Sequence, residues 1–274
     1  MSEATSPGGS AGGSGRAELT FIGTATTLLR LGPFTVLTDP NFLHRGQWAY
    51  LGKGLVSRRV TEPALGVDEL PPLDAVVLSH LHGDHFDRVA KAGLSRDAPV
   101  VTTRHAARRL KPWGFRTVGL DTWQEHVLEQ GAHRLSVESL PAVHAYGVLG
   151  KALPPVMGSL LRWSEGGDVR RTLYLTGDTL TGPHLNEIRQ RHPGIDGAVV
   201  HLGGTRVLGA IVTLDGRGGL ELLEAVNPGY AVPVHYDDYT RFLSPLSDFL
   251  AAVRGTGFDS RVRVVQRGQT ISLF

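Results

Sequence analysis

The segment Ser79-His80-Leu81-His82-Gly83-Asp84-His85 is the most informative stretch of this sequence. It follows the continuous apolar run Leu73–Ser79, which predicts a buried strand. Helical spacing follows at Phe86–Ala92, so the segment lies where a strand passes into a helix. Three imidazoles and one carboxylate share this junction. This set of side chains is typical of a metal site.

The spacing of these side chains favours two adjacent ions. Alternate side chains of an extended segment point the same way, so His80 and His82 can bind one ion. The turn at Gly83 then directs Asp84 and His85 towards a second position. The alternative is a loop of exposed histidines. Four potential ligands within six residues make that alternative a poor explanation.

Further candidate ligands follow other apolar strands. His144 ends the segment Pro141-Ala-Val-His144, Asp178 ends Leu175-Thr-Gly-Asp178, and His235 ends Val232-Pro-Val-His235. Strand ends are the places from which a sheet presents functional groups to a cleft. Each residue alone is weak evidence, but together they point to one site.

Short β-prone runs occur at both ends of the chain, with helical segments between them. Three antiparallel strands are predicted first, at Leu19–Ile22, Thr26–Leu31 and Phe34–Thr38. The segment Asp39–Pro72 is predicted to be a long loop that walls a pocket, or else a disordered insert. We expect an α/β (α+β) fold with two sheets between helical layers. Later strands are predicted at 100–102, 135–140, 158–163, 172–176, 197–201, 230–234, 262–265 and 270–273, and helices at 86–92, 104–111, 183–191, 220–226 and 245–254.

Composition excludes several classes of protein. The chain has 274 residues, no cysteine and a formal net charge of +2, so disulfides, thiolate nucleophiles and cysteine-bound metals are absent. Residues 1–16 are rich in Gly, Ser and Ala and predict a flexible tail before one domain at 17–274. No apolar run is long enough to cross a membrane and no secretion signal is visible, so we expect a cytoplasmic protein. The net charge is too small to indicate nucleic-acid binding, and no nucleic acid is expected as a partner.

The motifs from Leu19 to Phe274 resemble the metallo-β-lactamase-fold hydrolase superfamily, in which an HxHxDH run is followed by His, Asp and His at strand ends. Within it, the chain looks most like the branch of ascorbate-6-phosphate lactonases and N-acyl phosphatidylethanolamine phospholipase D. That likeness rests on FIGTATTLL (21–29), LTDP (37–40), LTGDT (175–179), HLGGT (201–205) and PVHYDDY (233–239). The resemblance implies a four-layer αββα sandwich.

The resemblance also implies a ligand set for two metals. The first would take His80, His82 and His144, the second would take Asp84, His85 and His235, and Asp178 would bridge them. Asp39 resembles a buried aspartate that orients a ligand histidine through its outer ring nitrogen, although an aspartate before proline can also simply start a turn.

The implied chemistry is hydrolysis. Two divalent ions lower the pKa of a bridging water, hold it as hydroxide and polarise the substrate. Asp84 and Asp178 are the predicted catalytic carboxylates, and Asp84 could pass a proton to the leaving group. The ligand types favour zinc, with manganese as the alternative because the lactonase branch depends on manganese.

The predicted substrate is a small, anionic molecule with an ester-type bond, either a phosphodiester or a lactone. His201, Tyr146, Tyr236 and Arg45 are candidate substrate contacts, and Lys53, Arg58 and Arg59 could add positive charge. These cations could equally form a solvated basic loop. The alternative functions are a di-iron oxidoreductase and a catalytically silent metal-binding module. The oligomeric state stays open, with a homo-oligomer among the options.

Overall fold

The computed structural model describes residues 15–52 and 54–274. The strands of these residues are β1 (Ala17–Gly23), β2 (Thr26–Leu31), β3 (Phe34–Thr38), β4 (Trp48–Gly52), β5 (Leu55–Arg58), β6 (Ala75–Leu78), β7 (Val100–Thr103), β8 (Thr117–Leu120), β9 (Glu125–Gln130), β10 (His133–Pro141), β11 (Met157–Glu165), β12 (Asp168–Leu175), β13 (Gly197–His201), β14 (Arg206–Val207), β15 (Ala210–Ile211), β16 (Tyr230–Val234) and β17 (Thr270–Ser272). The α-helices are α1 (Arg88–Gly93), α2 (Arg104–Leu110), α3 (Gly147–Ala152), α4 (Pro183–Arg191), α5 (Gly216–Val226) and α6 (Leu246–Val253).

Two large sheets organise these elements. The first has the strand order β17-β1-β2-β3-β6-β7-β8, and the second has the order β16-β13-β12-β11-β10-β9. Strands β3, β6, β7 and β8 are parallel, and so are β12, β13 and β16. Because parallel neighbours end at the same edge of a sheet, the segments that follow them meet at that edge.

The two sheets pack face to face. In β6, Ala75 and Val77 join a core shared with the second sheet, whereas Val76 and Leu78 join a core that includes residues of α1 and α2. This alternation arises because successive side chains of a strand point to opposite faces. Helices α4, α5 and α6 contribute apolar residues to the core of the second sheet. The expected α/β four-layer sandwich is therefore the architecture of the chain.

Local sequence explains where several helices begin. The Asp87 carboxylate accepts a hydrogen bond from the Ala90 backbone N–H and so caps α1. Thr103 caps α2 in the same way, and Asp215 caps α5 through the Gly218 N–H. Pro183 occupies the start of α4, where no backbone N–H is needed.

The structure corrects several predicted elements. Residues 262–265 form no strand, since only Val262 makes an isolated bridge, to Ala231. The segment Asp39–Pro72 is ordered over its described residues and contains the β4–β5 hairpin, which its weak periodicity did not reveal. Strands β8 and β9 and helix α3 were not predicted.

Most of the predicted tail, residues 1–14, lies outside the described residues. Gly15 and Arg16 are described, and the Arg16 carbonyl accepts a hydrogen bond from the Gly32 N–H at 2.8 Å. No helix of the described residues is long and apolar enough to cross a membrane.

Candidate metal centre

The predicted ligands converge at one edge of the sandwich. The first sheet supplies four of them from the segment after β6, and the second sheet supplies the others from segments after β10, β12 and β16. All of these side chains are buried. Their ligand atoms form overlapping groups of three, and the atoms within each group lie within 4.8 Å of one another. Together these groups include all seven predicted ligands, His80, His82, Asp84, His85, His144, Asp178 and His235.

Three imidazoles form the first group. His82 Nδ1 lies 2.9 Å from His80 Nε2 and 3.4 Å from His144 Nε2. Nitrogens bound to one tetrahedral zinc at about 2.1 Å lie about 3.4 Å apart. The His82–His144 distance matches this value and the His80–His82 distance is shorter, and the ligand atoms of all three residues lie within 4.8 Å of one another.

The second group contains the carboxylates. His85 Nε2 lies 3.2 Å from Asp178 Oδ2, and His235 Nε2 lies 3.5 Å from Asp84 Oδ2. The same Asp178 oxygen lies 3.9 Å from His80 Nε2 in the first group. Asp178 thus lies between the two groups, as a bridging ligand would.

Hydrogen bonds to the outer ring nitrogens fix the histidines. The Nδ1–H of His144 donates to the Val212 carbonyl at 2.9 Å, and that of His235 donates to the Leu202 carbonyl at 3.0 Å. A ring that donates from Nδ1 carries its lone pair on Nε2. Both rings are therefore held in the tautomer that presents Nε2 to a cation.

Asp39 orients a third ring. Its Oδ2 lies 3.1 Å from His85 Nδ1 and 3.2 Å from His201 Nε2, and its Oδ1 accepts from the Ser79 N–H at 2.7 Å. Burial raises the pKa of this carboxyl group, but His85 and His201 together outweigh burial and lower the pKa to about 2. An ionised carboxylate only accepts hydrogen bonds, so the His85 ring donates from Nδ1 and its Nε2 faces Asp178.

Unpartnered polar atoms support the fit of a metal. Buried side-chain nitrogens and oxygens normally have hydrogen-bond partners. Here the buried oxygens Asp84 Oδ1 and Asp178 Oδ1 have none. His85 Nε2 and His235 Nε2 lie 3.2 and 3.5 Å from carboxylate oxygens but make no well-aligned hydrogen bond to them. A divalent ion would satisfy such atoms, and imidazole with carboxylate is a donor set suited to zinc, manganese or iron.

The charge distribution differs between the two groups. Burial and the neighbouring imidazoles hold the pKa of His80 well below its usual range, and burial with His144 lowers that of His82 to about 4. Neutral imidazole is the form that binds metals. Burial also disfavours charge on His85, but Asp178, Asp39 and Asp84 raise its pKa well above the usual value. These three carboxylates therefore favour positive charge at the position of the His85 ring.

Backbone conformation places two of the ligands. His235 has a φ of 63°, a left-handed conformation that is unusual for a residue other than glycine. Its N–H donates to the Thr24 carbonyl at 2.7 Å, which holds it at the end of β16. Gly177 has a φ of 61° next to Asp178, and a Cβ there would lie 2.7 Å from the Met157 carbonyl oxygen. The turn before Asp178 therefore requires glycine.

A cavity of about 460 Å³ opens above the ligands. His82, Asp84, His144 and Asp178 contribute to its lining. Most of its remaining wall is apolar and comes from the β4–β5 hairpin, the α3 segment and the β14–β15 hairpin. These wall residues are Leu51, Leu55, Leu149, Ala152, Leu153, Val207, Leu208 and Val212. The β4–β5 hairpin lies within Asp39–Pro72, the segment expected to wall a pocket, whereas α3 and the β14–β15 hairpin were not predicted.

The candidate substrate contacts lie elsewhere. His201 is buried behind Asp39, and Tyr236 packs in the core with its ring 6.3 Å from that of Phe21. The Tyr146 hydroxyl donates to the Thr181 carbonyl, and Arg45 is exposed. None of these four lines the cavity above the ligands, so their expected contact with substrate has no support from this geometry.

The predicted basic residues are also placed differently from expectation. Arg59 is fully buried and pairs with Asn41 and Asp238. Arg58 is exposed on β5 and is absent from the cavity lining, and Lys53 lies outside the described residues. Two arginines that the sequence did not single out, Arg206 and Arg241, line the cavity instead.

The two-sheet sandwich with a histidine–aspartate centre at its edge defines a class of metal-binding domain that known proteins share. A beta-lactamase superfamily domain model matches residues 35–236, and the chain belongs to this family. The family prediction is thereby confirmed at the level of the superfamily.

Curated relatives include a UPF0173 metal-dependent hydrolase of Anaeromyxobacter sp. strain K, 26% identical over 94% of this chain and 87% of that protein. An uncharacterized protein of Mycobacterium tuberculosis, Rv0906, is 28% identical over 83% of this chain. The match spans only 60% of that protein. This chain therefore corresponds to about three fifths of the length of the Mycobacterium protein.

Solved structures confirm the fold. A possible metal-dependent hydrolase from Veillonella parvula matches 94% of this chain and 99% of its own with a TM-score of 0.79 and 22% identity. An isothiocyanate hydrolase from Delia radicum gut bacteria matches 93% of this chain and 98% of its own with a TM-score of 0.77 and 21% identity. At these identities the similarity concerns the fold alone.

Proposed function

We propose that this protein is a metal-dependent hydrolase that holds two divalent ions and cleaves an ester-type bond of a small molecule. The observation that carries the proposal is the convergence of buried, unpartnered ligand atoms from both sheets beneath one cavity. Two curated relatives are named UPF0173 metal-dependent hydrolases, and these names support the same reaction class.

In this proposal the ligands divide as the sequence predicted. His80, His82 and His144 would hold one ion, Asp84, His85 and His235 would hold the second, and Asp178 would lie between them. The nitrogen spacing of the first group and the position of Asp178 between both groups support this division.

The ions would supply an activated water and polarise the bond to be cleaved. The residues of the chain position these parts. Asp178 lines the cavity and fixes the spacing of the two groups. Asp84 also lines the cavity, and the one of its two oxygens that does not hold an ion could accept a proton and pass it to the leaving group. Apolar walls limit access of bulk water to the bond.

The chemistry of the site does not distinguish a lactone from a phosphodiester, because the same ligand set can polarise a carbonyl or a phosphoryl oxygen. Within the proposal we retain both bond types, which the resemblance to the lactonase and phospholipase D branch suggests. Zinc is the favoured ion and manganese the alternative, since both accept imidazole and carboxylate ligands.

The test combines metal analysis with a substrate panel. Protein purified without chelator and reconstituted with zinc or manganese should contain two metals per chain. Each form should then be assayed on lactones, phosphodiesters and phosphomonoesters. We expect hydrolysis of one ester class and, for Asp178→Asn, a fall in turnover of at least about a hundredfold with an unchanged melting temperature.

Asp121→Asn is the matched control, because Asp121 is an exposed carboxylate on the surface that pairs with Arg104. It should leave turnover unchanged. Absence of bound metal after reconstitution would overturn the proposal, and near-normal activity of Asp178→Asn would overturn the role of Asp178.

A further inference from the structure

The cavity above the ligands has a polarity that the metal centre alone does not explain. Its floor contains the carboxylates Asp84 and Asp178, and no other acidic residue of the described ranges lines it. Its walls are formed by leucine, valine and alanine from three separate segments of the chain. A ligand that binds in a pocket of this composition gains much of its binding free energy from apolar contact with the walls.

The β14–β15 hairpin adds a second observation. Leu208 at its tip is 98% exposed and has a φ of 50°, yet it belongs to the cavity lining. A fully exposed leucine in a strained turn gains nothing from the fold of this chain. Contact with an apolar ligand would remove this side chain from water and would offset that cost.

Two cations lie on the same lining. The Arg206 Nη1 group donates only to the Gly209 carbonyl of its own hairpin, at 3.1 Å. Among the described residues, neither Arg206 nor Arg241 pairs with a carboxylate, and both are exposed. The guanidinium groups are therefore available to an anion that enters the cavity.

We infer that the substrate has an apolar body, which contacts the leucine and valine walls, and one anionic group, which Arg241 and Arg206 bind away from the bond that is cleaved. The inference rests on the proposed hydrolase function, because it specifies the substrate of that site. It assigns to Arg206 and Arg241 the anion-binding role that the sequence suggested for Arg45, Arg58 and Arg59.

A pair of fluorescent probes separates the apolar and anionic parts. 8-Anilinonaphthalene-1-sulfonate and N-phenyl-1-naphthylamine share an apolar body, and only the first carries a sulfonate. Both probes are titrated against the full chain with metal bound. We expect one molecule of each to bind per chain, because both bodies fit the apolar walls.

Variants then assign each part to residues. Arg241→Gln should weaken binding of the sulfonate probe about fivefold and leave the neutral probe unchanged, because only a rim charge is lost. Leu153→Ser should weaken both probes by about the same factor, at least threefold, because it removes apolar contact. Arg45→Gln and Leu243→Ser are the controls, since neither residue lines the cavity, and both should leave binding unchanged.

Hydrolysis provides the independent readout. For an ester that the protein cleaves, a terminal carboxylate on the alkyl chain should lower KM, and Arg241→Gln should abolish that advantage with little change in kcat. Equal loss of both probes in Arg241→Gln, or binding that Leu153→Ser does not alter, would overturn the inference. If the probes behave as expected but no ester is cleaved, the proposed function fails while the assignment of the cavity stands.

Discussion

His201 lies beside the candidate metal centre but does not line the cavity above it. Its Nε2 lies 3.2 Å from Asp39 Oδ2, and the same carboxylate oxygen contacts His85 Nδ1 at 3.1 Å. Its Nδ1 lies 3.1 Å from the Thr176 hydroxyl, which fixes the ring from the other side. His201 is therefore placed to position Asp39, and through it the ring of His85.

His201→Gln tests this role. Removing the imidazole should weaken metal affinity about tenfold, because groups that orient a metal ligand typically have effects of this size. KM at saturating metal should stay unchanged, since His201 does not line the cavity. Metal titration followed by steady-state kinetics gives both quantities. A raised KM with normal metal affinity would instead support the substrate contact that the sequence suggested.

At the same scale, sequence reasoning was informative where a residue type and a strand end coincide. His144, Asp178 and His235 could be selected because metal chemistry restricts ligands to few side chains. Tyr236 could not be excluded in this way, because a tyrosine next to a ligand is equally able to face the site or the core. Only packing decides, and here its ring lies against Phe21.

At the scale of elements, a buried polar network joins the turn between β1 and β2 to the segment after β16. Asp238 Oδ2 accepts from the Thr24 N–H at 2.8 Å, and its carboxylate pairs with Arg59 and Arg267. The Thr24 carbonyl in turn holds the backbone of His235. The network therefore supports a candidate ligand from a distance.

Asp238→Asn should destabilise the fold by about 3 kcal/mol, because it leaves the buried Arg59 charge without an anionic partner. Burial raises the pKa of Asp238, but the opposite effect of Arg267 and Arg59 is larger, so the folded-state pKa lies below the usual value. Its ionised form therefore stabilises the fold above about pH 4, and this contribution is lost as the pH falls through the folded-state pKa.

Urea unfolding at several pH values measures this effect. The stability difference between the wild type and Asp238→Asn should be largest near neutral pH and should shrink as the pH falls below about 4. Asp237→Asn is the control, because Asp237 is partly exposed and should cost less than about 1 kcal/mol. A difference that does not change with pH would contradict the ionised state of Asp238.

Elements were predictable where periodicity is strong and neighbours are close in sequence. The first three strands and α4 follow from such patterns, and the structure has them near the expected bounds. The segment 262–265 has a β-prone composition but forms only one bridge. The β4–β5 hairpin was missed because its strands alternate buried and exposed residues over only a few positions.

For the whole molecule, the N-terminal segment provides a test. Residues 1–14 are composed largely of Gly, Ser, Ala, Thr and Pro and offer little apolar area for burial. Deleting them should leave the melting temperature and the metal content unchanged. Gly15 and Arg16 are retained, because the Arg16 carbonyl accepts a hydrogen bond from the Gly32 N–H.

A chain that begins at Ala17 loses this hydrogen bond and should be less stable by about 1 kcal/mol. Thermal unfolding of the two truncated chains, followed by circular dichroism, makes the comparison. A large fall in melting temperature on deletion of residues 1–14 alone would show that the segment contributes to the fold.

The pairing of β1 with β17 has a consequence for biosynthesis. These strands are antiparallel neighbours, and the hydroxyls of Thr20 and Thr270, 250 positions apart, lie 2.7 Å from each other. On the ribosome, the edge of β1 stays without this partner until about 250 further residues have been synthesised. Contacts of such long range are slow to form, because loop closure costs entropy before they stabilise the fold. Completion of the first sheet therefore requires the synthesis of β17, and the edge of β1 is open to aggregation until then.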